Sequence, residues 1–222
     1  MRDWPLTARR ANLETIESSL KTVQREFSNI NAELNAQRCC LSDQILANMM
    51  AGYVSVDAAL AGQIDLFENG RSRDILELNN IVLYGTDPQR RLHYRKPLMV
   101  NEKHFYQQKE GGIGELMEAY HVHANESVWN QAAMVYVRIL SQPQLFLEGN
   151  HRTGALLMSY LLMREGQPPF VLTVANAKVY FDPSTLIGKA KRHSISMFFR
   201  MPKLKHYFAR LLKNQMDPNY LL

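Results

Sequence analysis

Between positions 13 and 34 apolar residues recur three or four apart, at Leu13, Ile16, Leu20, Val23, Phe27, Ile30 and Leu34. That spacing lines one face of a helix and predicts a long amphipathic helix over about 8–34. A second helical stretch is expected over 41–50, with Ser42 or Asp43 as its cap, and a third over 57–67, stopped by Glu68-Asn69-Gly70. Ser72 is expected to cap a helix that runs through Ile75, Leu78 and Val82 to Gly85. Further helices are predicted over 115–123 and 128–140, then from Gly149 to Gly166, where Pro168-Pro169 forbids continuation. Two more helices finish the chain.

Two segments depart from this periodicity. Thr86–His104 contains Pro88 and Pro97 together with Arg90, Arg91, His93, Arg95, Lys96 and Lys103, and reads as an extended flap or short β-hairpin. Phe170–Val174 has the composition of a short strand. No repeat or linker interrupts the pattern. The expected fold class is therefore mainly α, as a single domain over 1–222. An N-terminal helix occupies 1–40, a core about 41–200, and basic helices over about 186–222 pack on that core.

Composition narrows the class. Hydrophobic residues make up 46% of the 222 and charged residues 21%, as in soluble globular proteins and unlike disordered chains. No apolar run approaches the roughly 18 residues that span a bilayer. Residues Met1–Leu6 place no apolar stretch behind their positive charge, so no secretory leader is expected. The two cysteines, Cys39 and Cys40, are adjacent. Their Cα atoms sit about 3.8 Å apart, below the usual disulfide range of roughly 4.4–6.8 Å, which suits a reduced, cytoplasmic protein.

Charge is uneven. The net value is +5, and from Leu186 to Leu222 Lys189, Lys191, Arg192, Arg200, Lys203, Lys205, Arg210 and Lys213 face one acid, Asp217. That segment carries +7 and the remainder −2. A solvated helix face is the plain reading, and nucleic-acid binding is the alternative. Ile195, Met197, Phe198, Phe199, Leu204, Phe208, Leu211 and Leu212 are threaded through the basic residues, which favours helices docked on the body.

The chemistry concentrates in Phe146-Leu147-Glu148-Gly149-Asn150-His151-Arg152-Thr153-Gly154, between two apolar helices. Gly149 and Asn150 permit the tight turn that points successive N–H groups into a concavity, and the following helix adds its positive end. Arg152 in that first turn supplies charge-assisted donors, and Glu148 suits a Mg²⁺ shared with phosphate. Gly149, Asn150, His151, Arg152 and Thr153 are thus the candidate phosphate contacts. A helix-capping loop with surface charges fits the same residues. Other candidates are weaker: His121 and His123 are two apart and face different ways on a helix, and Trp129 and Tyr136 belong to one apolar face.

This loop resembles the signature of the Fic (Fido-fold) family, His-x-Phe-x-[Asp/Glu]-Gly-Asn-Gly-Arg-x-x-Arg. Phe146, Glu148, Gly149, Asn150 and Arg152 match it position by position. The resemblance implies a helical Fido fold over about 30–200, nucleotide phosphates on the loop, Mg²⁺ on Glu148, and AMP transfer from ATP to a protein hydroxyl. It also implies that an unidentified target protein docks on the flap at about 86–104. Gln144 stands at the position of the family's catalytic His, and an amide does not take a proton near neutrality. Ala155 replaces the second Arg, and His151 replaces a Gly. A base is then sought in His151, or in His93 or His104 on the flap. Canonical AMP transfer is expected to be weak or absent, with a silent interaction module or transfer of another nucleotide-derived group as alternatives. The family's inhibitory helix has only imperfect counterparts, at Asn29-x-x-x-Glu33-Leu34 and Thr22-x-x-x-Glu26-Phe27, and Ala155 would give its Glu nothing to pair with.

Overall fold

The computed structural model describes residues 4–5, 7–190 and 195–222, with only the backbone described over 195–199. Lys191 and Arg192 of the basic segment lie outside the described residues. The described residues form α1 (Leu13–Arg25), α2 (Phe27–Glu33), α3 (Asp43–Ala61), α4 (Ser72–Tyr84), α5 (Pro88–His93), α6 (Arg95–Gln107), α7 (Ile113–Val122), α8 (Val128–Leu140), α9 (Asn150–Arg164), α10 (Val174–Lys189) and α11 (Ile195–Asn214). Among them the only β-type pairing is one isolated bridge, Ala11 to Leu221. The mainly helical expectation holds.

The axis of the fold is α9. From Thr153 to Arg164 every residue is buried, because α8, α3 and α4 all pack on it. A helix apolar on all sides requires that surround. Leu156, Leu157 and Met158 are wholly buried, each contributing about 1.5–3 kcal/mol by removal from water. Helix α11 lies on α8 and buries Phe208, Ala209, Leu211 and Leu212, while Lys205 pairs with Glu126 at 2.8 Å. The terminal helix is docked, as its interleaved apolar residues predict.

Three local expectations change. The first helix ends at Arg25 and resumes at Phe27, with Glu26 between. The two helices expected over 41–50 and 57–67 are joined into the single α3, which is capped by Ser42, whose Oγ accepts from the Ile45 N–H at 3.3 Å, and which ends at Ala61 rather than at Glu68-Asn69-Gly70. Gly52 does not break α3: a Cβ there would lie 2.4 Å from Leu156 Cδ1, so the position serves close approach to α9. Ser72 is the first residue of α4 and not its cap.

The expected hairpin at 86–104 is helical, as α5 and α6. Both prolines fall in first turns, where a missing N–H costs no helical hydrogen bond. Pro88 follows the Asp87 cap, whose Oδ1 accepts from the Gln89 N–H at 3.0 Å, and Pro97 is the third residue of α6. The expected strand at 170–174 does not form: residues 170–173 pair with no strand among the described residues, and Val174 opens α10. Side chains take the segment's carbonyls instead: Tyr53 Oη and Ser159 Oγ donate to Phe170 O at 2.7 and 2.9 Å, and Asn176 Nδ2 donates to Val171 O at 2.9 Å.

Candidate functional site

Residues 144–149 lead into the N-terminus of α9. Gly149 turns the chain with φ +76°, a conformation that costs an L side chain about 1–2 kcal/mol. A Cβ there would also lie 2.9 Å from Asn79 Nδ2. Among the described residues no side chain caps the first turn of α9. Its leading N–H groups therefore remain available to an anion.

The loop is braced from behind by amides. Asn150 accepts from the Phe146 N–H at 3.0 Å and donates to Phe146 O at 2.7 Å and Gln144 Oε1 at 3.2 Å. Asn79 of α4 donates to Glu148 O at 3.0 Å and Thr153 Oγ1 at 2.9 Å. Asn101 of α6 donates to Asn79 Oδ1 at 2.9 Å and accepts from the Leu147 N–H at 3.2 Å. Asn79 and Asn101 escaped the sequence reading. Asn79 left a signal, since it interrupts an apolar helical face, and a buried Asn there needs partners.

In front of the loop lies a cavity of about 300 Å³. Gly149, Asn150, His151, Arg152 and Ala155 reach it from the loop and α9, and Arg38, Cys39 and Cys40 reach it from the segment between α2 and α3. Most of the remaining wall is apolar, including Leu20, Phe27, Ile45, Met49 and Phe170.

Each predicted site residue has a definite place. Arg152 lines the cavity and donates through Nη1 to Val82 O at 3.0 Å; burial lowers its pKa, with Glu148 partly opposing. His151 lies 3.2 Å from Tyr136 Oη through Nδ1, and its carbonyl accepts from Tyr180 Oη at 3.2 Å. Burial, then Arg38, then Arg152 push its pKa down to about 3, so the ring is neutral at neutral pH. Thr153 is fully buried with its hydroxyl on Asn79, on the inner side of the helix. Glu148 is exposed and stands outside the cavity lining. Among the described residues no three His, Cys, Asp or Glu side chains gather as a metal cluster.

Gln144 uses both ends of its amide within the loop. Nε2 donates to Leu140 O at 3.1 Å, and Oε1 accepts from Asn150. Two residues of the predicted flap region differ in reach. His104 Nε2 lies 3.1 Å from Gln144 O, beside the loop, whereas His93 packs edge-on against Tyr94 with ring centroids 4.8 Å apart.

Comparison with known proteins points one way. No protein-family model matches the chain. The chain is 31% identical over 114 residues to "Protein adenylyltransferase Fic" of Drosophila grimshawi, covering 49% of this chain and 23% of that protein. It is 29% identical over 132 residues to the protein of the same name from Drosophila melanogaster, covering 57% of this chain and 26% of that one. These matches support a Fic-family assignment. The chain spans about a quarter of the length of these curated Fic relatives. Two solved Fic structures overlay on 91% of the chain: Fic-1 from C. elegans, at TM-score 0.43, 16% identity and 69% of its own length, and a Fic-domain signaling protein from Bacteroides thetaiotaomicron, at 0.42, 14% and 95%. Among the described residues no helix is long and apolar enough to cross a membrane.

Proposed function

We propose that the loop before α9 binds the phosphates of a nucleotide. The observation that carries this reading is the first turn of α9, which has no side-chain cap and opens, with Arg152, on a cavity whose lining holds no carboxylate. An uncapped helix start beside a guanidinium favours an anion on both counts. The cavity's apolar wall suits the body of the ligand rather than its phosphates.

Mg²⁺ commonly takes one or two carboxylates and completes its shell with water and phosphate oxygens. A single exposed carboxylate, Glu148, fits an ion carried in with the nucleotide and does not fit one held by protein alone. Bound there, the ion would offset charge on the phosphates.

The relatives are named protein adenylyltransferases, and the reaction considered for this site is AMP transfer to a hydroxyl of a protein, as the loop's resemblance implies. Efficient transfer needs a base for that hydroxyl. Gln144 is an amide spent on bracing the loop. His151 is held neutral with too little proton affinity for the task. We therefore read the site as one that binds nucleotide and transfers AMP slowly or not at all; loss of a general base typically costs about 10²–10⁴ in rate.

The test is calorimetric titration with ATP, GTP, CTP and UTP, with and without Mg²⁺, alongside Arg152→Ala. The expected result is Mg²⁺-dependent binding that the variant loses. An absence of binding at millimolar nucleotide would sink this reading and favour capture of a protein partner by a silent Fic fold.

A further inference from the structure

The cavity in front of α9 is lined by two arginines, Arg38 and Arg152, and by no aspartate or glutamate. Among the described residues neither arginine has a carboxylate oxygen within 4 Å. Each is held from behind by neutral acceptors alone. Arg152 donates to Val82 O, and Arg38 Nη2 donates to Phe181 O at 3.2 Å, Ser184 Oγ at 3.3 Å and Thr185 Oγ1 at 2.8 Å. The Arg38 guanidinium also lies 4.3 Å from the centroid of the Phe181 ring. These contacts, all to α10, fix its direction without neutralising it. Its Nε is buried and has no hydrogen-bond partner. Two guanidiniums facing an apolar cavity with no carboxylate in contact are costly to maintain; Glu148 and Asp182 act on them from farther off and offset burial only in part, and an anion between the two arginines removes the remaining cost.

We propose that Arg38 is the second cation of this site, and that the ligand carries more than one anionic group on an apolar body, as a nucleoside di- or triphosphate does. One phosphate occupies the start of α9 with Arg152. A further phosphate is met by Arg38, which reaches the cavity from a different segment, where the α9 position Ala155 supplies only a methyl group. This rests on the nucleotide reading above and adds the requirement for a polyphosphate. The neutral state of His151 in the same cavity agrees with it, since both arginines disfavour a third cation there.

The test titrates the full chain with AMP, ADP and ATP in the presence of Mg²⁺, comparing wild type with Arg38→Met and Arg38→Lys. A charge-assisted bond of this kind corresponds to about 10- to 100-fold in affinity. Arg38→Met should weaken ATP binding by about that factor and leave AMP within about twofold, with Arg38→Lys in between. Equal weakening for AMP and ATP would mean that Arg38 only shapes the cavity and would overturn the proposal. So would unchanged ATP binding in Arg38→Met while Arg152→Ala loses it, which leaves the nucleotide reading standing. A wild-type chain that binds none of the three overturns both.

A second readout needs no substitution. Cys39 and Cys40, the chain's only cysteines, are exposed at the cavity beside Arg38. Saturating ATP should slow their reaction with a thiol reagent severalfold, and AMP should slow it less. Equal rates with and without ATP, when calorimetry shows ATP bound, place the phosphates away from Arg38 and overturn the proposal.

Discussion

The two ends of α9 each carry an arginine, half-buried at the start and buried at the end, and they treat it in opposite ways. At the C-terminal end Arg164 is 4% exposed and paired with acids: Nη1 meets Asp65 at 3.0 Å, Nη2 donates to Tyr120 Oη at 2.7 Å, and Nε, which makes no hydrogen bond, lies 3.4 Å from Glu165. Burial alone would lower its pKa, yet Tyr120, Asp65 and Tyr160 raise it on balance. At the N-terminal end Arg152 has one carbonyl and no carboxylate partner, and its pKa falls. One charge is answered by the protein. The other is left facing a cavity. The difference separates an arginine that holds the fold from one whose counter-charge comes with a ligand.

Removing each arginine breaks or sharpens that contrast most directly. Arg164→Met leaves Asp65 without its cation and should cost about 3 kcal/mol in urea unfolding, the lower end for breaking a buried pair because Asp65 is partly exposed. Arg152→Met removes an unanswered charge, and Val82 O keeps its bond from Asn48 Nδ2 at 3.1 Å. Its stability should stay within about 1 kcal/mol of wild type, the scale of one net hydrogen bond. Equal losses in the two variants would erase the distinction.

A smaller effect is expected with pH. The folded pKa of His151 is depressed from 6.5 to about 3, so the unfolded chain binds more protons in that interval. The stability this group contributes is complete above about pH 6.5 and is lost as pH falls toward 3. The slope from one proton is at most about 1.4 kcal/mol per pH unit. His151→Gln should flatten that part of the profile, read from urea midpoints between pH 4 and 7. An unchanged profile would mean that the fold does not hold His151 neutral.

Much of this was legible along the chain, for physical reasons that differ by element. Helices α1, α8 and α9 follow from apolar spacing, because their partners select one face or, for α9, every face. The docking of α11 follows from the apolar residues between its basic ones. The flap misread its prolines: their rigid φ suits a helix start as well as an extended strand, and the Asp87 cap decides between them. The carbonyls of Phe170 and Leu172 are satisfied by side chains more than ten positions away, a pairing that no local pattern reveals.

At the site, residue types were readable but their tasks were not. Thr153 and Asn150 look like phosphate ligands in sequence, yet folding turns the Thr153 hydroxyl inward to Asn79 and spends the Asn150 amide on the loop. Neither side chain is left for an anion, and the Thr153 N–H already donates to Gly149 O at 2.9 Å. Arg38 stands in a polar run, Asn35-Ala36-Gln37-Arg38, with no periodicity to single it out. Only the packing of that segment against α10 brings it to the cavity.

The most direct test of the central claim is the melting temperature of wild type and Arg152→Met, each with and without excess Mg²⁺-ATP. A ligand at 100 times its Kd adds about 2.7 kcal/mol to the folded state. Wild type should rise by several degrees, and the variant should be nearly as stable without ligand and unmoved by ATP. A variant that melts far below wild type without ligand, yet gains as much from ATP, would show that Arg152 serves the fold and not the anion.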